Sequence, residues 1–443
     1  MASTENPNLA AVVLAAGLGT RMRSDLPKHL HPLLGKRMVD WVVDVARVLD
    51  ADPLVVVTAP STADAFDGVE VALQEQPLGT GDAVRSARQA LEGRAQDVLV
   101  LSGDAPLVTP GLLRALVETH RSEEAWATVL SFEPPEPRHY GRVLRNGDGR
   151  LEAIVEARDA TPDQLAVREV NSSIYVFRSE RLWPVLERLA PHNAQGELYL
   201  TDSVALLVSE GGPVAVHKGG DVVETEGVNT RVELAAAAAA LRDRINEEHM
   251  LAGVTIVDPS STWIDAEVTI EPDAVIHPFT VIHGSSQIGA GAEVGPHVAI
   301  SEARVGEGAI VGPFCYLRPG TVLGAGAKAG VFVELKNAEI GDGAKVPHLS
   351  YIGDAEIGEG TNVGAGSITA NYPHQAGRPK ERTTIGRNVR VGVDTVFNAP
   401  VEVGDDAWTA AGSVITEDVP PNALAIARAR QVNKEGRGGK RND

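Results

Sequence analysis

The chain has 443 residues, enough for two or three domains, and a formal net charge of −20 at pH 7. That balance speaks against general affinity for nucleic acid or an anionic membrane, so a phosphate-bearing ligand must be met by local basic residues and backbone N–H groups. The one cysteine, Cys315, excludes an intrachain disulfide and a Cys-rich metal site. Met1–Asn8 is polar and no apolar run reaches membrane-spanning length, so a cytoplasmic protein with no membrane insertion is expected.

Short apolar runs at Leu9–Ala15, Leu54–Thr58 and Val98–Ser102 alternate with amphipathic stretches such as Met38–Leu49 and Pro110–His120. This alternation predicts a Rossmann-like α/β domain with a mostly parallel sheet, whose ligands gather at the carboxyl ends of the strands. The first such end reads Leu14-Ala15-Ala16-Gly17-Leu18-Gly19-Thr20-Arg21-Met22. Its glycines let backbone N–H groups approach phosphate oxygens. It lacks the Gly-Lys-Ser/Thr of a Walker A loop, and Met22 stands where a dinucleotide fingerprint needs glycine. Alone, the loop reads as a tight turn as readily as a phosphate site. Taken alone, Asp104, before Pro106, reads as a turn residue more readily than as a ligand, and Asn229 as a helix cap more readily than as a contact. Asn229–Leu251 has strong helix formers, no Pro or Gly, and an Asn-Thr start suited to capping.

From Ile270 to Ile415 small or apolar residues recur every six residues, with occasional five-residue steps. A hexad is one short strand and a turn, too short to bury a core alone, so the hexads stack as a parallel β-helix. Three hexads per coil give about eight coils and on the order of 38 Å. Handedness is not contained in the period. The repeat breaks once, between Thr369 and Ile385, around Asn371-Tyr372 and a loop rich in Pro, Gly, Lys and Arg. Arg318, Lys336, His348, Tyr351, Asn362, Asn371 and Tyr372 are charged, polar or aromatic residues within or beside that break. A lone histidine in a solenoid is more often structural than catalytic. Cys315, in an apolar setting, reads as buried filler rather than a covalent acyl carrier.

Taken in order, the motifs resemble a known family. Gly17–Met22 with Leu26-Pro27-Lys28, then Gln74, Leu78-Gly79-Thr80-Gly81 and Ser102-Gly103-Asp104, are similar to the signature of sugar-phosphate nucleotidylyltransferases. Tyr140-Gly141-Arg142, Val155-Glu156, Asn171 and Glu226–Asn229 continue it, and Val346–Gly358 matches the acetyltransferase segment of the bifunctional GlmU family. The resemblance covers nearly the whole chain and implies three parts: a uridylyltransferase at 1–228, a linker helix at 229–251, and a left-handed β-helix acetyltransferase with a C-terminal tail at 252–443. It implies acetylation of glucosamine 1-phosphate by acetyl-CoA, then UMP transfer from UTP to N-acetylglucosamine 1-phosphate.

By resemblance, Asp104 and Asn229 hold Mg²⁺, and Arg21 and Lys28 spread the charge of the triphosphate. Leu14, Ala15, Ala16, Gly17, Gln74, Gly79, Thr80, Ser102 and Gly103 fall at the nucleotide, and Gly141, Glu156, Asn171 and Asn229 at the sugar. His348 is the expected general base, an imidazole suiting proton removal from an amine at neutral pH. Arg318 and Lys336 anchor the sugar phosphate, and Tyr351 and Asn362 contact the sugar. Ala365, Asn371, Tyr372, Val393, Ala411 and Arg428 line the acetyl-CoA site, and a homotrimer is implied. The chain departs from the family at Asp82 (usually His), Ser102 (Tyr), Pro77 (Gln), Arg158 (Lys), Ser172-Ser173 (Thr-Gly) and Val393 (Ser). The loop after Tyr372 carries Pro373-His374 and Arg378-Pro379-Lys380, with Lys380 a candidate for the phosphate-binding charge. Val393 and the altered loop motivate a rival reading, a uridylyltransferase whose β-helix serves only trimer assembly.

Overall fold

The computed structural model describes residues 8–17, 19–372, 377, 379–435 and 437. The chain divides into two compact units, Met1–Leu241 and Arg242–Asp443. The helix Arg231–Leu251 contains the point of division.

In the first unit the described residues form a sheet of nine strands. Strand Leu9–Ala15 lies between Asp97–Ser102 and Leu54–Thr58, parallel to both, and Leu54–Thr58 is followed outward by Glu70–Leu73. Successive side chains of a strand face opposite ways. Ala10 and Val12 accordingly enter the core on one face, with Leu182, Val204 and Leu207 of the helices there. Ala11 and Val13 enter the other, with Val42 of helix Met38–Val48 and Leu113 and Leu116 of helix Pro110–Ser122. Fully burying each such valine or leucine contributes about 1.5–3 kcal/mol. The sheet is mostly parallel, as expected, and is mixed chiefly by one strand: Val170–Arg178 runs antiparallel between Asp97–Ser102 and Ala127–Phe132. Hydrophobic alternation is the same in either direction, which is why the sequence does not disclose this strand's polarity.

The second unit is a parallel β-helix. Every residue heading the six-residue repeat, from Ile270 through Thr369 and from Ile385 to Ile415, is buried. The heads stack in columns: Ile276–Val294–Val311–Ala329–Val346 on one face, and Ile282–Ile300–Leu317–Leu335–Ile352 on the next. The third column runs Ile288–Val305–Leu323–Ile340–Ile357–Ile385–Val403. Two five-residue steps have a physical consequence. At Leu335→Ile340 and Ile352→Ile357 the corner is one residue shorter, and single strands Glu334–Ile340 and Tyr351–Ile357 pass through it from one face to the next. The interruption after Thr369 leaves the stacking intact, since Ile357 still pairs with Ile385 across it.

Candidate functional site

The strand ends of the first unit close on one another through a glycine. Leu14 is in register with Ser102, and the Gly103 N–H donates to the Leu14 carbonyl at 2.9 Å. A Cβ at Gly103 would lie 2.8 Å from that oxygen, so a larger residue would force the ends apart. Beside them, Gly19 has φ 60°, and a Cβ there would stand 2.4 Å from the Lys28 Cβ. A Cβ at Gly17 would meet nothing within 4 Å. Gly19 is therefore the glycine the loop requires for its own shape; Leu18, between them, lies outside the described residues.

Five polar side chains converge here. The Lys28 ammonium pairs with Asp104 Oδ2 and donates to Asn229 Oδ1 at 2.9 Å. Arg21 donates to the same Asn229 oxygen at 2.8 Å, and the Ser102 hydroxyl donates to Asp104 Oδ1 at 2.6 Å. Burial works to raise the Asp104 carboxyl, but the Lys28 charge and the hydrogen bonds from Lys28 and Ser102 outweigh it and hold it below the usual carboxylate range. The helix cap falls elsewhere. Glu233 N–H donates to Thr230 Oγ1 at 3.2 Å, while the Glu233 carboxylate accepts from the Thr230 and Asn229 N–H groups, each at 2.8 Å. That reciprocal cap satisfies the helix start and leaves the Asn229 side chain to Arg21 and Lys28.

An ammonium group held between a carboxylate and an amide oxygen marks a place that a cation fills. The all-oxygen pair Asp104 and Asn229 suits a hard divalent ion whose remaining ligands are water and phosphate oxygens. Among the described residues no group of three or more His, Cys, Asp or Glu is placed to hold a metal alone.

Further along the sheet edge, Gln74 Nε2 donates to the Gly79 carbonyl and to Asp82 Oδ2, both at 3.0 Å. Gly79 has φ 116° and packs so closely on Leu198 that a Cβ would lie 2.6 Å from its carbonyl oxygen. Thr80 Oγ1 accepts from the Leu200 N–H at 3.0 Å. A second group gathers Gly141, Glu156 and Asn171. A Cβ at Gly141 would stand 3.4 Å from both Glu156 carboxylate oxygens, and the Gly141 carbonyl accepts from the Asn171 N–H at 2.9 Å. Burial, chiefly, raises the Glu156 carboxyl, and neighbouring Asp159, Asp202 and Glu197 add to it. A register shift between Asn171 and Tyr175 marks a bulge, and Ser173 within it takes φ 63°. The family's glycine at that position adopts such a conformation without strain.

In the β-helix the candidate residues fall on equivalent positions of successive coils. Val331 pairs with His348, the His348 carbonyl accepts from Gly366 N–H at 3.4 Å, that of Ala365 from Asp394 N–H at 2.7 Å, and that of Val393 from Gly412 N–H at 2.8 Å. His348, Ala365, Val393 and Ala411 thus form one column along a corner, and a Cβ on Gly412 would lie 3.9 Å from the Arg428 side chain. The His348 ring is exposed and makes no hydrogen bond among the described residues. Arg318 and Lys336 follow the stacked Leu317 and Leu335, and the Tyr351 hydroxyl lies over Gly353, next in that column. Arg318 pairs with Glu334 at 2.9 Å, and Lys336 stands 3.9 Å from Asp354. The Lys380 ammonium adjoins that of Lys336, whose proximity, first by hydrogen bonding, depresses its pKa. Asn362 continues a separate column, Lys345–Asn362–Arg390–Trp408. Asn371 is turned inward, its amide on Asp354, whereas Tyr372 is exposed.

Comparison with known proteins agrees with both halves. Residues 11–202 match the MobA-like NTP transferase domain, and residues 267–302 match the bacterial transferase hexapeptide (six repeats). The chain is 48% identical to the bifunctional protein GlmU of Mycolicibacterium vanbaalenii, over 96% of this chain and 92% of that one. It is 46% identical to the protein of the same name from Streptomyces coelicolor, over 96% and 93%. With that of Corynebacterium efficiens the identity is 45%, over 98% and 94%. The chain belongs to the bifunctional GlmU family.

Within this GlmU family member, two residues at the centre of the geometry carried no role in the sequence reading. Asp354 accepts from the Asn337 amide at 2.7 Å as well as from Asn371, tying the base of the interrupted coil to the coil below. Its signal was available: a buried acidic residue in a repeat that favours small and apolar ones. Tyr140 accepts from the Gly227 N–H at 3.2 Å, and burial pushes its hydroxyl up to about 12. Cys315 is buried and its thiol is raised to about 11 by burial, so it remains a neutral thiol. Pro373-His374, Arg378 and most of the tail after Glu435 lie outside the described residues.

Proposed function

We propose that this chain makes UDP-N-acetylglucosamine in two steps, with residues 1–228 as uridylyltransferase, 229–251 as linker and 252–443 as acetyltransferase. The observation that carries the reading is the convergence of Arg21, Lys28, Asp104 and Asn229 at the strand ends. In the uridylyl step an oxygen of N-acetylglucosamine 1-phosphate attacks the α-phosphorus of UTP and pyrophosphate leaves. Such a reaction asks the protein mainly for positioning and charge neutralisation. Arg21 and Lys28 bring cationic groups to the triphosphate, Gln74, Gly79 and Thr80 hold the base, and Gly141, Glu156 and Asn171 meet the sugar. Mg²⁺ held by Asp104 and Asn229 would supply further neutralisation of the phosphate charge.

In the acetyl step the amine of glucosamine 1-phosphate attacks the thioester carbonyl of acetyl-CoA; the new C–N bond replaces the C–S bond, and coenzyme A leaves as its thiol. The exposed His348 ring, with no competing partner among the described residues, takes the amine proton. Arg318, Lys336 and Lys380 offer cationic groups to the sugar phosphate, with Tyr351 and Asn362 at the sugar. Ala365, Val393, Ala411 and Arg428 flank the acetyl-CoA arm along the corner column, and Asn371 and Tyr372 stand at the loop's entry. No helix among the described residues is long and apolar enough to cross a membrane, and we place the enzyme in the cytoplasm as a homotrimer. The uncovered aromatic ladder Phe279–His297–Phe314–Phe332, with ring centroids 4.8–5.1 Å apart, supports self-association.

One assay tests both steps. Glucosamine 1-phosphate with UTP and Mg²⁺ should release pyrophosphate only when acetyl-CoA is added, while the N-acetylated sugar phosphate should need no acetyl-CoA. Persistence of the free amine with acetyl-CoA present would favour the rival, in which the β-helix only assembles the trimer.

A further inference from the structure

We propose that Asp82 is a positioning residue that sets the base preference of the nucleotide pocket, by fixing which end of the Gln74 carboxamide the base meets. The proposal rests on the reading above, that the uridine base binds beside Gln74 and Gly79. Gln74 is 6% exposed and Asp82 9%, so neither is a freely rotating surface group. The Gln74 nitrogen contacts two atoms, the Gly79 carbonyl oxygen and Asp82 Oδ2, each at 3.0 Å. Both atoms can only accept, so the end that faces them must be the NH₂. Each of its hydrogens is then committed. The opposite end, Oε1, accepts from no described residue and is not among the sealed, unpartnered atoms of the fold, so it is left open to a ligand.

Asp82 is itself fixed. Its other oxygen, Oδ1, accepts from Arg85 at 2.6 Å, which leaves Oδ2 for Gln74. The Gly79 N–H donates to no described residue. The pocket therefore presents one acceptor, Gln74 Oε1, near one donor, the Gly79 N–H. Uracil carries a ring N–H beside carbonyl oxygens and complements that pair. Cytosine carries an unprotonated ring nitrogen beside an amino group, and so sets acceptor against acceptor. A site whose polar groups are left unpaired by the wrong ligand discriminates strongly against it. Where the family usually has histidine, the carboxylate at 82 supplies two acceptors, one for each of its neighbours.

The test is the ratio of kcat/KM for UTP to that for CTP, measured by pyrophosphate release with N-acetylglucosamine 1-phosphate and Mg²⁺. Asp82→Asn has one acceptor where Arg85 and Gln74 both ask for one, so it should lower the ratio about tenfold or more, mostly through KM for UTP. Asp82→Ala should lower it likewise, and Asp82→Glu, which keeps two acceptors, should retain it. A merely structural residue would reduce both substrates in proportion. An unchanged UTP to CTP ratio in folded Asp82→Asn and Asp82→Ala would overturn the proposal. Absence of UTP turnover in the unsubstituted enzyme would overturn the reading of the pocket, and the proposal with it.

Discussion

The amide oxygen of Asn229 accepts a hydrogen bond from the Lys28 ammonium at 2.9 Å, across 201 residues of chain. That oxygen is available because Thr230 and Glu233 have taken over the helix cap. Two neighbouring residues thus divide chemistry from stability, and substitution should separate them. Asn229→Ala should lower pyrophosphate release about a hundredfold and leave acetylation intact. Thr230→Ala should cost about 1 kcal/mol of stability, read as a lower melting temperature with kcat retained.

His29 supplies a pH dependence. Burial, then the charge of Lys28, lowers its pKa from 6.5 to about 4, so the folded state keeps it neutral where an unfolded chain would protonate it. The unfolded state binds more protons between those values, and stability therefore rises with pH through that window and is lost as pH falls from 6.5 toward 4. The full effect is about 3 kcal/mol. Its Nε2 is buried without a partner among the described residues and its ring stacks on Phe66, so His29→Phe should flatten denaturant midpoints across this range.

On the β-helix, His348→Ala should reduce acetyl transfer about 10²–10⁴-fold while uridylylation of N-acetylglucosamine 1-phosphate continues. An unchanged acetylation rate would remove His348 from the mechanism. Val393 is half exposed on the same corner column, and its side chain offers no hydrogen bond. Val393→Ser should tighten acetyl-CoA binding, measured by calorimetry, by about 0.5–1.5 kcal/mol.

The two glycines of the first loop should respond differently. Gly19→Ala meets Lys28 and a positive φ, and should lower the melting temperature by a loss of about 1–2 kcal/mol. Gly17→Ala faces open space and should leave the melting temperature unchanged.

These contrasts show where residue order carries information and where it does not. The solenoid was legible because each inward head must be small or apolar, and from Ile270 to Ile415 each one is buried. Asp104 and Asn229 are ambiguous alone, because a turn and a cap use the same residue types as a cation site; the proposed cation site rests on their meeting with Lys28. The antiparallel run of Val170–Arg178 was hidden because polarity leaves no trace in burial pattern. Asp82 was visible as a departure, but its effect depends on Gln74 and Arg85 standing on either side of it. The role of Asp354 is not legible in the sequence because its partners, Asn337 and Asn371, come from different coils.

The pairing of Ile357 with Ile385 across the interruption means that the length of that loop is uncoupled from the scaffold. Residues can be added or removed at this corner while the neighbouring coils keep their registry. A lineage, or an engineer, can therefore retune the proposed acyl-donor side by insertion and deletion, a route usually closed inside a hydrogen-bonded sheet.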